Sequence, residues 1–203
     1  MRKHLVIPDC QVTPTTPTDH LRWIGQYIVE KQPEVIVNLG DFADMESLSS
    51  YDKGKTKAEG KRIKQDIIAA KKAMTVLLNP LAKHNNKMKA WKEKKYTPEM
   101  HLTVGNHEHR ITRATEDDPA LDGLISVQSL NYEGYGWTVH QFLKPVEIDG
   151  VHYCHYFCNP MSGKPIGGEN ILLRMRKIGH SFCQGHQQTY MIGCQSLSNG
   201  KRI

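Results

Sequence analysis

No apolar run in this chain approaches the roughly 20 residues of a membrane-spanning helix, so no membrane association is expected. No secretory signal is expected either, since Met1-Arg2-Lys3 is followed by only a short apolar stretch. A disulfide framework is not expected. The five cysteines are odd in number and unevenly spread, which points to a reducing compartment, the cytoplasm. Acids are scarce in one segment. Residues 53–95 hold fourteen Lys or Arg against Glu59, Asp66 and Glu93, a charge of +11; with +6 overall, the remainder carries −5. A polyanionic partner such as nucleic acid and a solvated helix face both account for that asymmetry.

What is present suits a soluble globular protein. The 203 residues, 38% hydrophobic and 24% charged, fit one domain over 1–203 with enough mass for a real core. Residues 53–95 read as a basic helical segment or insertion within it.

Read in order, the chain alternates buried strands with helices. His4-Leu5-Val6-Ile7-Pro8 is a strand ending at Asp9-Cys10-Gln11. Thr18 or Asp19 caps a helix through Leu21, Ile24, Ile28 and Val29, closed by Pro33. Val35 to Leu39 is a second strand, followed by Gly40-Asp41-Phe42-Ala43-Asp44. Residues 44–60 read as a long surface loop. A helix from about Lys61 is expected to break at Asn79-Pro80, leaving 81–96 as a second basic helix or a loop anchored by Trp91. Met100 to Val104 is a third strand, ending at Gly105-Asn106-His107-Glu108. A helix begins near Glu108, and another short one is expected around Leu121–Leu130.

Later strands are expected at 137–142, 146–148, 151–157, 180–184 and 189–198, with Asp149-Gly150 and Asn199-Gly200 as hairpin turns. Ile171 to Ile178 is a short helix. Only Lys201-Arg202-Ile203 remain to return from the last turn, so the chain is expected to stop inside an element, short of one or more final strands.

Polar groups gather at the strand ends. Asp9 and Asp41 follow neighbouring strands, where open α/β sheets place their sites, although each also suits a capped turn. An amide, an imidazole and a carboxylate at Asn106, His107 and Glu108 suit metal-assisted phosphoryl transfer. Arg110 serves either a phosphate contact or a surface salt bridge. His155 lies nearer its strand's end than His152 and is the preferred ligand.

In order, these strand ends carry Asp9/Gln11, Asp41, Asn106/His107, His155 and His186/Gln188. The pattern resembles the calcineurin-like metallophosphoesterases, with motifs Asp-x-His, Gly-Asp-x-x-Asp, Gly-Asn-His-Asp/Glu, a later His, and Gly-His-x-His. The likeness spans roughly residues 5–188, and the Gly-Asn-His-Glu-x-Arg run looks most like small phage and bacterial members. The compartment is then a host's cytoplasm if the chain is phage-encoded.

The resemblance implies an α/β fold, a four-layer α/β/β/α sandwich of two mixed sheets flanked by helices. It also implies two divalent ions about 3.5–4 Å apart, sharing a hydroxide that attacks phosphorus in line. Asp41 would bridge the ions. Asp9, Gln11 and Gln188 would complete one site, and Asn106, His155 and His186 the other. His107 would protonate the leaving oxygen, with Asn106 and Arg110 also toward substrate and Asp44 or Glu108 orienting a histidine. Gln11 and Gln188 replace family histidines in one site, which favours Mn²⁺ first; Mg²⁺, Ni²⁺ and Zn²⁺ are the other candidates. The partner is then a phosphoester, nucleic acid or nucleotide favoured through the basic segment; oligomeric state is not readable. Two other readings stand beside this one: a non-catalytic phosphate- or nucleic-acid-binding module with a degenerate metal site, and a structural zinc site of Cys154, Cys158, Cys183 and His186.

Overall fold

The computed structural model describes residues 2–51, 54–168, 170–200 and 202–203. Lys53 of the basic segment and Lys201 of the C-terminal return lie outside the described residues, as does the Lys57 side chain. The fold is α/β. Strands β1 (His4–Ile7), β2 (Val35–Asn38), β3 (Glu99–Thr103) and β4 (Thr138–His140) form one sheet in that order. Every pairing in it is parallel, so this sheet is not mixed as expected. The reason lies in the crossovers: helices α1 (Asp19–Lys31), α2 (Ile63–Ala90) and α3 (His109–Asp117) each return the chain to the same edge. The second sheet is mixed. It joins β5 (Val146–Ile148), β6 (Val151–Cys154) and β7 (Phe182–Gln184), antiparallel then parallel, with α4 (Ile171–Ile178) in the second crossover.

Alternation along β2 explains how the sheets meet. Ile36 points with Ile7 and Leu102 into the core under α1 and α2, among Leu21, Ile28, Met74 and Leu77. Val35, Val37 and Leu39 point the other way, against Ile148 and Tyr153 of the second sheet. A strand buried on both faces reads as an unbroken apolar run, which is what residues 35–37 are. Cys154, Phe157 and Ile166 form a third cluster with Ile178 of α4 and Phe182. Between β5 and β6, Asp149 and Gly150 have φ of 52° and 82°, the left-handed pair of a tight hairpin turn.

Four expectations fail on packing. α2 runs through Pro80 without a break. An interior proline costs about 3 kcal/mol, but here Gly25 of α1 lets the helices close: a Cβ on Gly25 would lie 2.2 Å from the Leu77 carbonyl oxygen and 2.9 Å from Pro80 Cγ. Trp91 is no anchor, since 64% of it is exposed. Residues 121–130 form no α-helix; 3-10 turns at Pro119–Leu121 and Val127–Leu130 take its place. Residues 189–195 join no sheet, because left-handed His186 and Gln188 (φ 70° and 49°) turn the chain away from the line of β7. The return from Asn199-Gly200 does pair, through a Ser196–Arg202 bridge flanked by two 2.9 Å bonds between Gln195 and Ile203.

The basic segment is spread along α2, 28 residues long. At ~1.5 Å per residue that is roughly 42 Å. Its first end meets the loop after β2 through Lys61–Glu46 and Ser47–Asp66 contacts. Its far end lies by the strands' amino ends, where Asn85 bonds Tyr96 and the Tyr96 hydroxyl donates to the Pro33 carbonyl. Lys83 to Lys95 therefore sit at the opposite edge of the sheet from the residues described next. No helix among the described residues is long and apolar enough to cross a membrane.

Candidate metal centre

Parallel pairing puts the carboxyl ends of β1, β2 and β3 on one edge, and the ends of β6 and β7 meet them there. Glycine makes the close approach feasible. A Cβ on Gly105 would lie 2.1 Å from Asp41 Oδ1, and one on Gly185 would lie 2.2 Å from Asp9 Oδ1. Asp41 and Gln11 themselves take left-handed φ of 48° and 46°, conformations that cost about 1–3 kcal/mol each and persist only when held. The Asp41 carbonyl accepts from Cys10 and Gln11 N–H at 3.1 and 2.8 Å.

Glu108 holds these turns together. It is fully buried. Oε2 accepts from the N–H of Asp41 at 2.9 Å and of Gly105 at 3.1 Å. Oε1 accepts from the Ala43 N–H at 2.9 Å and the Tyr132 hydroxyl at 3.2 Å. Burial and the Asp41 charge push Glu108 up. Yet all four neighbours are donors, an arrangement that only a carboxylate satisfies. Glu108 thus positions backbone and orients no histidine.

Acceptors converge at the centre. His155, fully buried, donates Nδ1–H to the Leu39 carbonyl at 2.8 Å. That sets the tautomer and turns the Nε2 lone pair toward Asn106 Oδ1 at 2.9 Å and Asp41 Oδ2 at 3.2 Å. Three acceptors facing one another are unfavourable unless a proton or a cation lies between them. Ligand atoms of Asp41, His155 and His186 all lie within 4.8 Å of one another. Asp9 Oδ2 accepts the His186 backbone N–H at 2.8 Å, while Asp9 Oδ1 is buried with no hydrogen-bond partner, 3.9 Å from His155 Nδ1. Burial pushes Asp9 up. It would do the same to Asp41, but His155 holds Asp41 low. Burial works against the His155 charge and Asp41 outweighs it, so His155 is raised. Burial and His155 lower His186, which keeps it neutral as a ligand must be. The donor set of two carboxylates, an amide and two imidazoles fits a divalent ion.

His107 stands beside this group. Its backbone N–H donates to Asp41 Oδ1 at 2.8 Å, its ring Nδ1 bonds the Asp44 carboxylate, and its Nε2 is 3.6 Å from Asp41 Oδ2. Arg110 forms a salt bridge, but inside the site rather than on the surface. It is largely buried and donates to the Asp44 carbonyl at 2.8 Å and carboxylate at 3.0 Å, with Nη2 3.3 Å from His107 Nε2. Burial would raise Asp44, but His107 and Arg110 hold it low. Asp44 therefore orients the histidine.

The two glutamines sit apart. Gln11 and Gln188 line a cavity of about 640 Å³ with Asp9, Cys10 and Gly185, and their side chains make no hydrogen bond among the described residues. The structural zinc set does not assemble. The Cys154 thiol bonds the Tyr156 carbonyl, all five cysteines are free, and His186 belongs with Asp41 and His155. Tyr132 escaped the sequence reading, for nothing local marks a tyrosine 24 residues from its partner. Compared with family models, with curated proteins and with solved structures, the chain finds no match in any of the three.

Proposed function

We propose that this chain is a metal-dependent phosphoesterase of the calcineurin-like kind, hydrolysing a phosphomonoester or phosphodiester, with nucleic acid or a nucleotide favoured. The observation that carries it is the convergence of Asp41 Oδ2, Asn106 Oδ1 and His155 Nε2 on one point, with a ligand atom of His186 within 4.8 Å of those of Asp41 and His155. The three hydrophobic clusters support the four-layer α/β/β/α reading of the fold.

Asp41, Asn106, His155 and His186 would hold one ion. Asp9 and Asp41, with Gln11 and Gln188 on the cavity that Asp9 lines, would hold a second, Mn²⁺ or Mg²⁺ by the hardness of oxygen donors. Bound divalent ions supply Lewis-acid polarisation of the phosphoryl group and acidify water. The chain's own residues do the rest. His107, protonated at Nε2, would give that proton to the leaving oxygen, Asp44 holds its ring through Nδ1, and Glu108 keeps the Asp41 and Gly105 turns in register.

The test is hydrolysis of bis(p-nitrophenyl) phosphate and p-nitrophenyl phosphate by metal-stripped protein supplied with Mn²⁺, Mg²⁺, Ni²⁺ or Zn²⁺. Activity should require a metal, and Asp41→Asn should fall to background with the fold intact. Retention of more than about a tenth of the rate would defeat the shared-ligand assignment. Phosphate binding without turnover under any metal would identify a non-catalytic module instead.

A further inference from the structure

A second cavity, of about 390 Å³, lies under α4 on the far side of the segment that carries His186. Gln184, Gly185, Thr189, Tyr190 and Met191 line both this cavity and the one containing Asp9. Arg174 of α4 lines it and is only 4% exposed. Its Nη2 donates to the Gly168 carbonyl, its Nε meets no acceptor, and no carboxylate among the described residues pairs with it. A guanidinium keeps its charge at any ordinary pH, and a charge so buried is normally paired. Two more orphans face the same space: Gln184 Oε1 and Gln187 Oε1 are buried without partners. Either end of such an amide can be turned to a ligand. The remaining wall is mixed, with Met175 and Phe182 supplying its apolar part and His180, Ser181 and Thr189 further polar groups.

We propose that this cavity binds a small organic anion, its phosphate or carboxylate head on Arg174 and its apolar body against Met175 and Phe182. The guanidinium fork matches a planar or tetrahedral oxyanion. The two glutamine amides then serve polar groups of the body. The site is separate from the candidate metal centre and does not depend on metal, and residues 185–191 form the wall between the two.

Phenyl phosphate and benzoate present one ring with the two heads. They are titrated by calorimetry and thermal shift into metal-stripped wild type, Arg174→Met, Arg174→Lys and Asp41→Asn. Saturable one-to-one binding of at least one probe to wild type and to Asp41→Asn is expected. Phenyl phosphate alone assigns a phosphate head, benzoate alone a carboxylate head. Arg174→Met should weaken binding roughly tenfold to a hundredfold, the worth of a hydrogen bond to a charged group. It removes an unpaired buried charge while keeping volume, so its Tm without ligand should equal or exceed wild type. If it does not fold, Arg174→Lys decides, by losing affinity while folding. Absence of binding to wild type, binding unchanged in the folded Arg174 variant, or binding abolished by Asp41→Asn would each overturn the proposal.

Discussion

Replacing Glu108 by Gln tests the organisation of the site without touching a proposed metal ligand. The substitution keeps shape and volume and exchanges one oxygen for an NH₂. Four donors face the carboxylate, two on each oxygen. If the NH₂ replaces Oε2, the N–H groups of Asp41 and Gly105 both lose their acceptor. If it replaces Oε1, the Tyr132 hydroxyl can rotate to accept from it, and only the Ala43 N–H is orphaned. The second arrangement is favoured. A buried unsatisfied N–H costs about 1–3 kcal/mol, and the surviving bonds lose their charge assistance. Together these put Glu108→Gln at about 2–4 kcal/mol less stable than wild type. Glu108→Ala orphans three backbone N–H groups and should cost more, while Tyr132→Phe removes one donor and should cost about 1 kcal/mol. Urea unfolding followed by circular dichroism measures all three. The order Ala, Gln, Phe from most to least damaging is the expected result. A Glu108→Gln protein within about 0.5 kcal/mol of wild type, the range of ordinary surface substitutions, would refute the clamp.

Three further outcomes follow from contacts elsewhere. Gly25→Ala should destabilise by about 1–3 kcal/mol by overpacking, although alanine is ordinarily the better helix residue; a gain in Tm would show that α1 and α2 do not meet at Leu77 and Pro80. Asp149 is drawn from the usual 3.8 to about 2 by Arg2, then His4. A depressed carboxyl stabilises the fold above its unfolded value and stops doing so as pH falls through the folded one. Wild type should therefore exceed Asp149→Asn in stability at pH 5, the gap closing between about 4 and 2; a gap independent of pH contradicts the Arg2 and His4 pairing. His107→Ala should reduce hydrolysis of an alkyl phosphodiester by roughly 10²–10⁴-fold and largely spare a nitrophenyl ester; equal losses on both would leave His107 a positioning residue.

The sequence by itself determined most of the strands and helices up to α3, the β5–β6 hairpin and α4, and the order of polar groups at the strand ends. An apolar run closed by Gly and Asp is a local signal, since a parallel strand must stop, turn sharply and leave its next side chains at the sheet edge. Position past a strand's end singled out Asp9, Asp41, Asn106, His155 and His186, which the fold gathers at one edge, and Asp-Gly marked the turn at 149–150. Only the tertiary structure decided what each group touches. Glu108 bonds Asp41 across 67 positions and Asp44 meets His107 across 63, separations that no spacing rule encodes. Pro80 remains inside α2 because Gly25, on another helix, leaves room there. The basic segment reads as one block of charge in the sequence, yet α2 carries its two ends to opposite edges of the sheet. Arg174 looked like any helix arginine until the fold buried it. Periodicity runs along one dimension of the chain, whereas burial and pairing depend on which distant segments close over a residue.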